Sequence, residues 1–123
     1  MSVQIIDIPR ITLEWSSWTK WSDIDGGHIV IPEKSGVYEV KNEFEQEERL
    51  TIGKGSNLRN RIVRGLVWRK MPHSAGKRIR STEDTSKLEV RWAYTDRPCA
   101  VEEHLHITYQ KKFVALPKYT KRT

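Results

Sequence analysis

A single cysteine, Cys99, among 123 residues excludes an internal disulfide and a cysteine-based zinc site, and fits a reducing compartment. No apolar run is long enough to cross a bilayer, and the N-terminus has no signal-peptide pattern. A soluble, intracellular protein with no membrane partner is therefore expected. Internal repeats and low-complexity tracts are also missing. The most informative absence is of acid. From Gly53 to Thr82 there is no Asp or Glu, while nine Lys or Arg fall in the same stretch: Lys54, Arg59, Arg61, Arg64, Arg69, Lys70, Lys77, Arg78 and Arg80. A solvated helix face normally mixes both signs, so a run of one sign predicts a polyanionic partner.

What is present sharpens this. The length suits one domain with a real core and not two independent ones. The net charge of +6 conceals an asymmetry: residues 1–50 carry five basic and ten acidic residues, and the remaining 73 carry seventeen against six. The polyanion surface belongs to the second part.

The segment Ser35–Arg64 reads as strand, turn, strand, loop and helix. Gly36 to Val40 alternates with the period of a half-buried strand, and Arg49 to Ile52 can pair with it across a polar turn from Asn42 to Glu48. Gly53-Lys54-Gly55-Ser56-Asn57 supplies flexible backbone and a cap before Leu58, Ile62 and Leu66, which recur at helical spacing. Upstream, Met1 to Arg10 alternates weakly and stops at Pro9, as an edge strand or an arm would. Trp15, Trp18 and Trp21 are spaced to lie along one side of a short helix or turn. Base stacking is one reading, but the segment is net acidic and a packing lid on the sheet is favoured. His28 reads as a linker residue. Downstream, Met71 to Gly76 reads as a loop, with Lys77 to Arg80 as a hairpin return riding over phosphate. Leu88 to Tyr94 alternates as a third strand that buries Leu88, Val90, Trp92 and Tyr94. Pro98, with Asp96 as cap, opens a helix to about Phe113, and Lys121-Arg122 forms a short basic tail.

These residues resemble the GIY-YIG nuclease superfamily. Gly36-Val37-Tyr38 stands at the first motif, Thr51-Ile52-Gly53 at the second, Lys54 to Arg61 in the loop and helix start that follow, and Ala100 to Leu105 at the helix carrying the family glutamate. The resemblance implies an α/β (α+β) fold with a small antiparallel three-stranded sheet flanked by helices. The core would span residues 35–123, with residues 1–34 as an extension packed on it. It further implies a Mg²⁺-dependent endonuclease acting on DNA, with Mn²⁺ as a substitute ion, in a cytoplasmic or nucleoid-associated setting. Glu102 would be the metal ligand, and one or two carboxylates plus waters suit Mg²⁺. Tyr38 would be the general base, Lys54 would lower its pKa, and Arg61 would clamp a phosphate oxygen. Arg59, Arg64, Arg69, Lys70, His73, Lys77, Arg78 and Arg80 would contact nucleic acid. His73 could sit near the scissile phosphate, although the register puts Gly65 at the family position for such a group.

Glu103 would point about 100° away from Glu102 and be solvated. His104 and His106 diverge too far to chelate one ion, whereas Glu102 and His106 share a helix face. The chain departs from the family at Thr51, where a tyrosine is usual, and at Thr120, where many members have asparagine. Thr51 has no phenol: either Tyr38 works alone, or a water held by Thr51 replaces the phenol, or catalysis is weakened. The alternative function is a catalytically silent nucleic-acid-binding module. A basic RNA-associated structural protein is opposed by the acidic first half. One site cuts one strand, so double-strand cleavage would need a homodimer, a partner subunit or sequential nicking.

Overall fold

The computed structural model describes residues 2–7 and 10–120; Pro9, Lys121 and Arg122 lie outside the described residues. The N-terminal segment is one half of a hairpin. Ser2–Asp7 (β1) pairs antiparallel with Arg10–Trp15 (β2), with Gln4 opposite Leu13. Ile6, Leu13 and Trp15 turn into the core while their neighbours stay wet, the alternation of half-buried strands.

The three tryptophans do not share a helix. Trp15 ends β2, Trp18 lies in the link before the two-residue strand Thr19–Lys20 (β3), and Trp21 opens the five-residue helix Trp21–Asp25 (α1). The chain is extended over Trp15 and helical only from Trp21, so Trp15 and Trp21 enter different hydrophobic clusters and Trp18 enters neither. Trp18 covers a charged patch on the sheet, with Lys41, Arg49 and Arg91 each 4.8 Å from its ring centre. Beneath it, the buried Glu39 carboxylate accepts from Arg49 Nε at 2.9 Å and pairs with Arg91 Nη2 at 2.7 Å, which compensates the desolvation of its charge.

The main sheet is antiparallel, in the order β3-β6-β4-β5, where β4 is Gly36–Asn42, β5 is Thr51–Gly55 and β6 is Leu88–Tyr94. The three expected strands form its body, and β3 adds a short fourth. Tyr38 and Val40 point into a cluster with Leu58, Ile62, Leu66 and Ile79. Val37, Ile52 and Ala93 point the other way, against the hairpin and Val101 and Leu105 of the helix Pro98–Phe113 (α3). Full burial of each large aliphatic side chain contributes about 1.5–3 kcal/mol. On β6, Leu88, Val90 and Trp92 are buried as expected, but Tyr94 is 52% exposed. It is the last residue of the strand, with the Lys34 ammonium 5.2 Å from its ring centre. Asp96 does not cap α3; Thr95 Oγ1 instead accepts the Arg97 N–H at 3.1 Å.

Between β5 and β6 the chain differs most from expectation. The helix after β5 is wound as a π-helix over Asn60–Val67, and the Trp68 N–H reaches the Val63 carbonyl five residues back at 2.8 Å. Residues 74–82, read as loop and hairpin return, form the helix Ser74–Thr82 (α2). Its Ala75, Gly76 and Ile79 face the core, and Arg80 turns inward onto the carbonyls of Gly65 and Leu66. That bond satisfies acceptors which the π-helix leaves free. Among the described residues no helix is long and apolar enough to cross a membrane.

Candidate active site

Side chains from five elements converge on a cavity of about 260 Å³: Tyr38 of β4, Thr51 and Lys54 of β5, Arg61 of the π-helix, His73 at the start of α2, and Glu102 and His106 of α3. Tyr38 and Gly53 are direct partners across β4 and β5. The phenol lies across this position, and a Cβ at Gly53 would come within 2.4 Å of Tyr38 Oη. Only glycine lets the ring occupy this path. The second-motif glycine is therefore a steric requirement of the first-motif tyrosine.

His73 makes a short contact within the site, with Nε2 at 2.6 Å from Tyr38 Oη. Its Nδ1 accepts the Gly76 N–H at 2.9 Å, capping α2. A neutral imidazole that accepts at Nδ1 carries its proton on Nε2, so His73 donates to Tyr38 Oη. Burial is the main cause that drives the His73 pKa down to about 3, and the Arg61 and Arg80 guanidiniums push the same way. The ring stays neutral, and the donor role is fixed. Its space comes from Gly65, where a Cβ would stand 3.3 Å from His73 Cδ2. A residue from the next helix thus fills the place a side chain at position 65 would take. His73 is a buried site residue and not one of the outward contacts expected for the basic segment.

Burial raises the Tyr38 pKa to about 12, with Arg61 the chief opposing influence and Glu102 adding to the rise. Lys54, expected to tune the phenol, instead bonds the Glu102 carboxylate at 3.1 Å. Arg61 and the His73 N–H are the groups that favour phenolate. Arg61 is held by the Pro72 carbonyl at 3.3 Å.

Glu102 is mostly buried, on the turn of α3 that faces the cavity. Among the described residues no group of three or more His, Cys, Asp and Glu side chains could hold an ion. Glu102 is the carboxylate among the residues lining the cavity, a hard oxygen donor of the kind that suits a divalent cation which keeps most of its waters. Glu103 is exposed and His104 half-buried outside the cavity lining. His106 donates from Nε2 to the Ile52 carbonyl at 2.9 Å.

The two threonines that depart from the family pattern are partners. Thr51 Oγ1 and Thr120 Oγ1 are 3.0 Å apart, and Thr120 Oγ1 accepts the Ile52 N–H at 3.0 Å. In the sequence they are sixty-nine residues apart, and nothing short of the fold links them.

Arg59, Arg64, Arg69, Lys70, Lys77 and Arg78 are exposed, and none of them lines the cavity itself. Arg78 lies over Tyr119, 5.2 Å from its ring centre. Arg80, grouped with them in the sequence, is spent on backbone carbonyls. Two further cavities continue from the site, lined by Arg69, Lys70, His73, Ser74, Lys77 and Arg80, with no carboxylate among their lining residues.

No protein-family model and no curated protein sequence matches the chain. Among solved structures, it is similar to the GIY-YIG N-terminal endonuclease domain of UvrC from Thermotoga maritima. A tyrosine-to-phenylalanine mutant of that domain, bound to the catalytic divalent cation, is 25% identical, with 81% of this chain and 97% of that chain covered and a TM-score of 0.49. An asparagine-to-alanine mutant is 26% identical over 82% and 93%, with a TM-score of 0.47. The magnesium-bound form is 26% identical over 80% and 91%, with a TM-score of 0.45.

Proposed function

We propose that this chain is a GIY-YIG-type endonuclease that hydrolyses phosphodiester bonds in DNA with the aid of a divalent cation. One observation carries the reading: Tyr38, Lys54, Arg61 and Glu102, named from separate sequence motifs, line a single cavity. A carboxylate, two cations and a phenol at one solvent-reachable point are the groups that phosphodiester hydrolysis needs.

Glu102 would hold the cation, Mg²⁺ or Mn²⁺, which when bound supplies charge neutralisation at the phosphate and lowers the pKa of a bound water. Arg61 stabilises charge developing on a phosphate oxygen. Lys54 holds the Glu102 carboxylate in place and adds a second positive charge at the cavity. Tyr38 Oη, oriented by the His73 N–H, takes the proton of the attacking water. The exposed cations Arg59, Arg64, Arg69, Lys70, Lys77 and Arg78 make sequence-independent contacts to the DNA backbone.

The direct test is incubation of purified protein with supercoiled plasmid and Mg²⁺ or Mn²⁺, beside an EDTA control. Metal-dependent nicking is expected. Salt-sensitive binding with no nicked product, on branched and single-stranded substrates as well, would establish the second reading, a silent nucleic-acid-binding module. That reading draws on Thr51, whose hydroxyl is engaged with Thr120 and offers no second phenol.

The pH profile should identify the base. Tyr38 titrates at about 12, so the reactive phenolate fraction grows about tenfold per pH unit below that value. Nicking is expected to rise steadily from neutral to alkaline pH, with no inflection near the ordinary histidine value because His73 stays neutral. Nicking that keeps its rate and pH profile in Tyr38→Phe would assign the base elsewhere.

His73 also predicts an acid response. Its folded pKa, about 3, lies below the unfolded value of 6.5. The unfolded state therefore binds more protons between those limits, and stability falls as pH drops through the window. The melting temperature should decline from pH 7 to pH 4, and less steeply in His73→Gln.

A further inference from the structure

We propose that Trp68 is a stacking platform for an unpaired nucleobase, so that the chain prefers DNA with a single-stranded or branched segment beside the scissile bond. This rests on the nuclease reading for the position of the scissile bond, though the stacking site stands as a binding site by itself.

Trp68 follows the π-helix and is half-buried. Its indole N–H donates to the Asp25 carbonyl at 3.0 Å, which pins the ring. A pinned ring loses little freedom when a base stacks on it. The indole borders a cavity of about 400 Å³ together with Asp25, Val67, Arg69 and Lys70. An aromatic surface flanked by two cations is the arrangement that binds unpaired nucleotides, because every base has a π-face and every nucleotide a phosphate. Asp25 borders the same cavity and is exposed, with its backbone carbonyl holding the indole N–H; an acid at that end disfavours phosphate there, so the base faces Trp68 and the phosphates lie towards Arg69 and Lys70. Trp68 packs partly against the core, and Lys70 Nζ lies over its ring, 5.5 Å from the centre; a stacking base displaces this ammonium towards its own phosphate.

The platform is connected to the candidate active site. Arg69 and Lys70 line both this cavity and the next, which extends to His73 and Ser74, and these two also line the site. Beyond Asp25, a strand following that route passes Lys77 and meets no further lining acid before the cavity that holds Glu102. Bases in a duplex are stacked on each other and cannot reach the indole. Only an unpaired segment uses the whole route.

The test is fluorescence anisotropy of the full chain in EDTA, with a labelled blunt duplex, the same duplex bearing a single-stranded tail, and the tailed duplex with abasic residues in the tail. The unaltered protein should bind the base-bearing tail more tightly than either other DNA. Trp68→Ala should weaken binding to the tailed duplex by about 5- to 150-fold, the range of base–aromatic stacking, and leave the blunt duplex unchanged. Trp68→Phe should restore most of the loss. Equal affinity for abasic and base-bearing tails would overturn the proposal, and this comparison needs no variant to fold. So would equal losses on blunt and tailed DNA in Trp68→Ala. Because binding is read without a cation, a chain that fails to nick plasmid can still pass, and a chain that nicks can still fail.

Discussion

Glu102→Gln is expected to lower metal-dependent nicking by more than a hundred-fold while leaving DNA binding in EDTA unchanged or slightly tighter. Loss of a group that only orients a metal ligand commonly costs 10–100-fold in affinity or activity, so loss of a sole protein carboxylate should exceed that. The site offers no replacement. Among the described residues no other acid completes an ion-holding cluster, and His106 Nε2 is committed to the Ile52 carbonyl. The substitution also removes a negative charge beside Lys54 and releases that ammonium towards phosphate. Opposite effects on cleavage and binding would separate catalysis from docking. A parallel loss of both would mean that Glu102 serves the fold.

His73→Ala should affect stability and activity together. It deletes the α2 cap, which costs about 0.5–2 kcal/mol, and it leaves the buried Tyr38 hydroxyl without the His73 partner, which costs a further ~1–3 kcal/mol. Because Gly65 has no side chain, nothing adjacent can fill the vacated space. A fall in melting temperature of roughly 5 °C or more is expected, since about 1 kcal/mol shifts a domain of this size by several degrees. Without its hydrogen-bond donor the phenolate of Tyr38 becomes harder to form, so the rate should drop by a further tenfold or more at neutral pH. Both proteins titrate above the accessible range, so the deficit should stay constant from neutral to alkaline pH. A structural role alone would lower stability and leave the rate of the folded protein unchanged.

The strands β4, β5 and β6 and the helix opening at Pro98 were legible because each carries a strong local signal: period-2 alternation, a glycine corner, or a proline that suits only a first helical turn. Tyr38, Lys54, Arg61 and Glu102 were legible from motif order, and the fold gathers them at one cavity. Helix α2 was hidden because its buried face is only Ala75, Gly76 and Ile79, too small an apolar signal beside Lys77, Arg78 and Arg80, and because Gly76 resembles a turn residue. The π-helix has no sequence signature of its own, and its free carbonyls find Arg80 fifteen and fourteen residues downstream. His73 could be recognised as a site residue only by noticing that Gly65 leaves room for it. The pairing of Lys54 with Glu102 follows from where β5 meets α3, which no local pattern contains.

The threonine pair also governs how copies of this chain can meet. An exposed sheet edge invites strand addition from another molecule. Along β5 part of the outward edge is already used: the Ile52 N–H and C=O bind Thr120 and His106, and the Leu50 carbonyl just before the strand accepts the Tyr119 N–H at 2.8 Å. The opposite edge is β3, only two residues long. Both borders of the main sheet are thereby blunted, and the rim beside the cavity resists edge-to-edge aggregation.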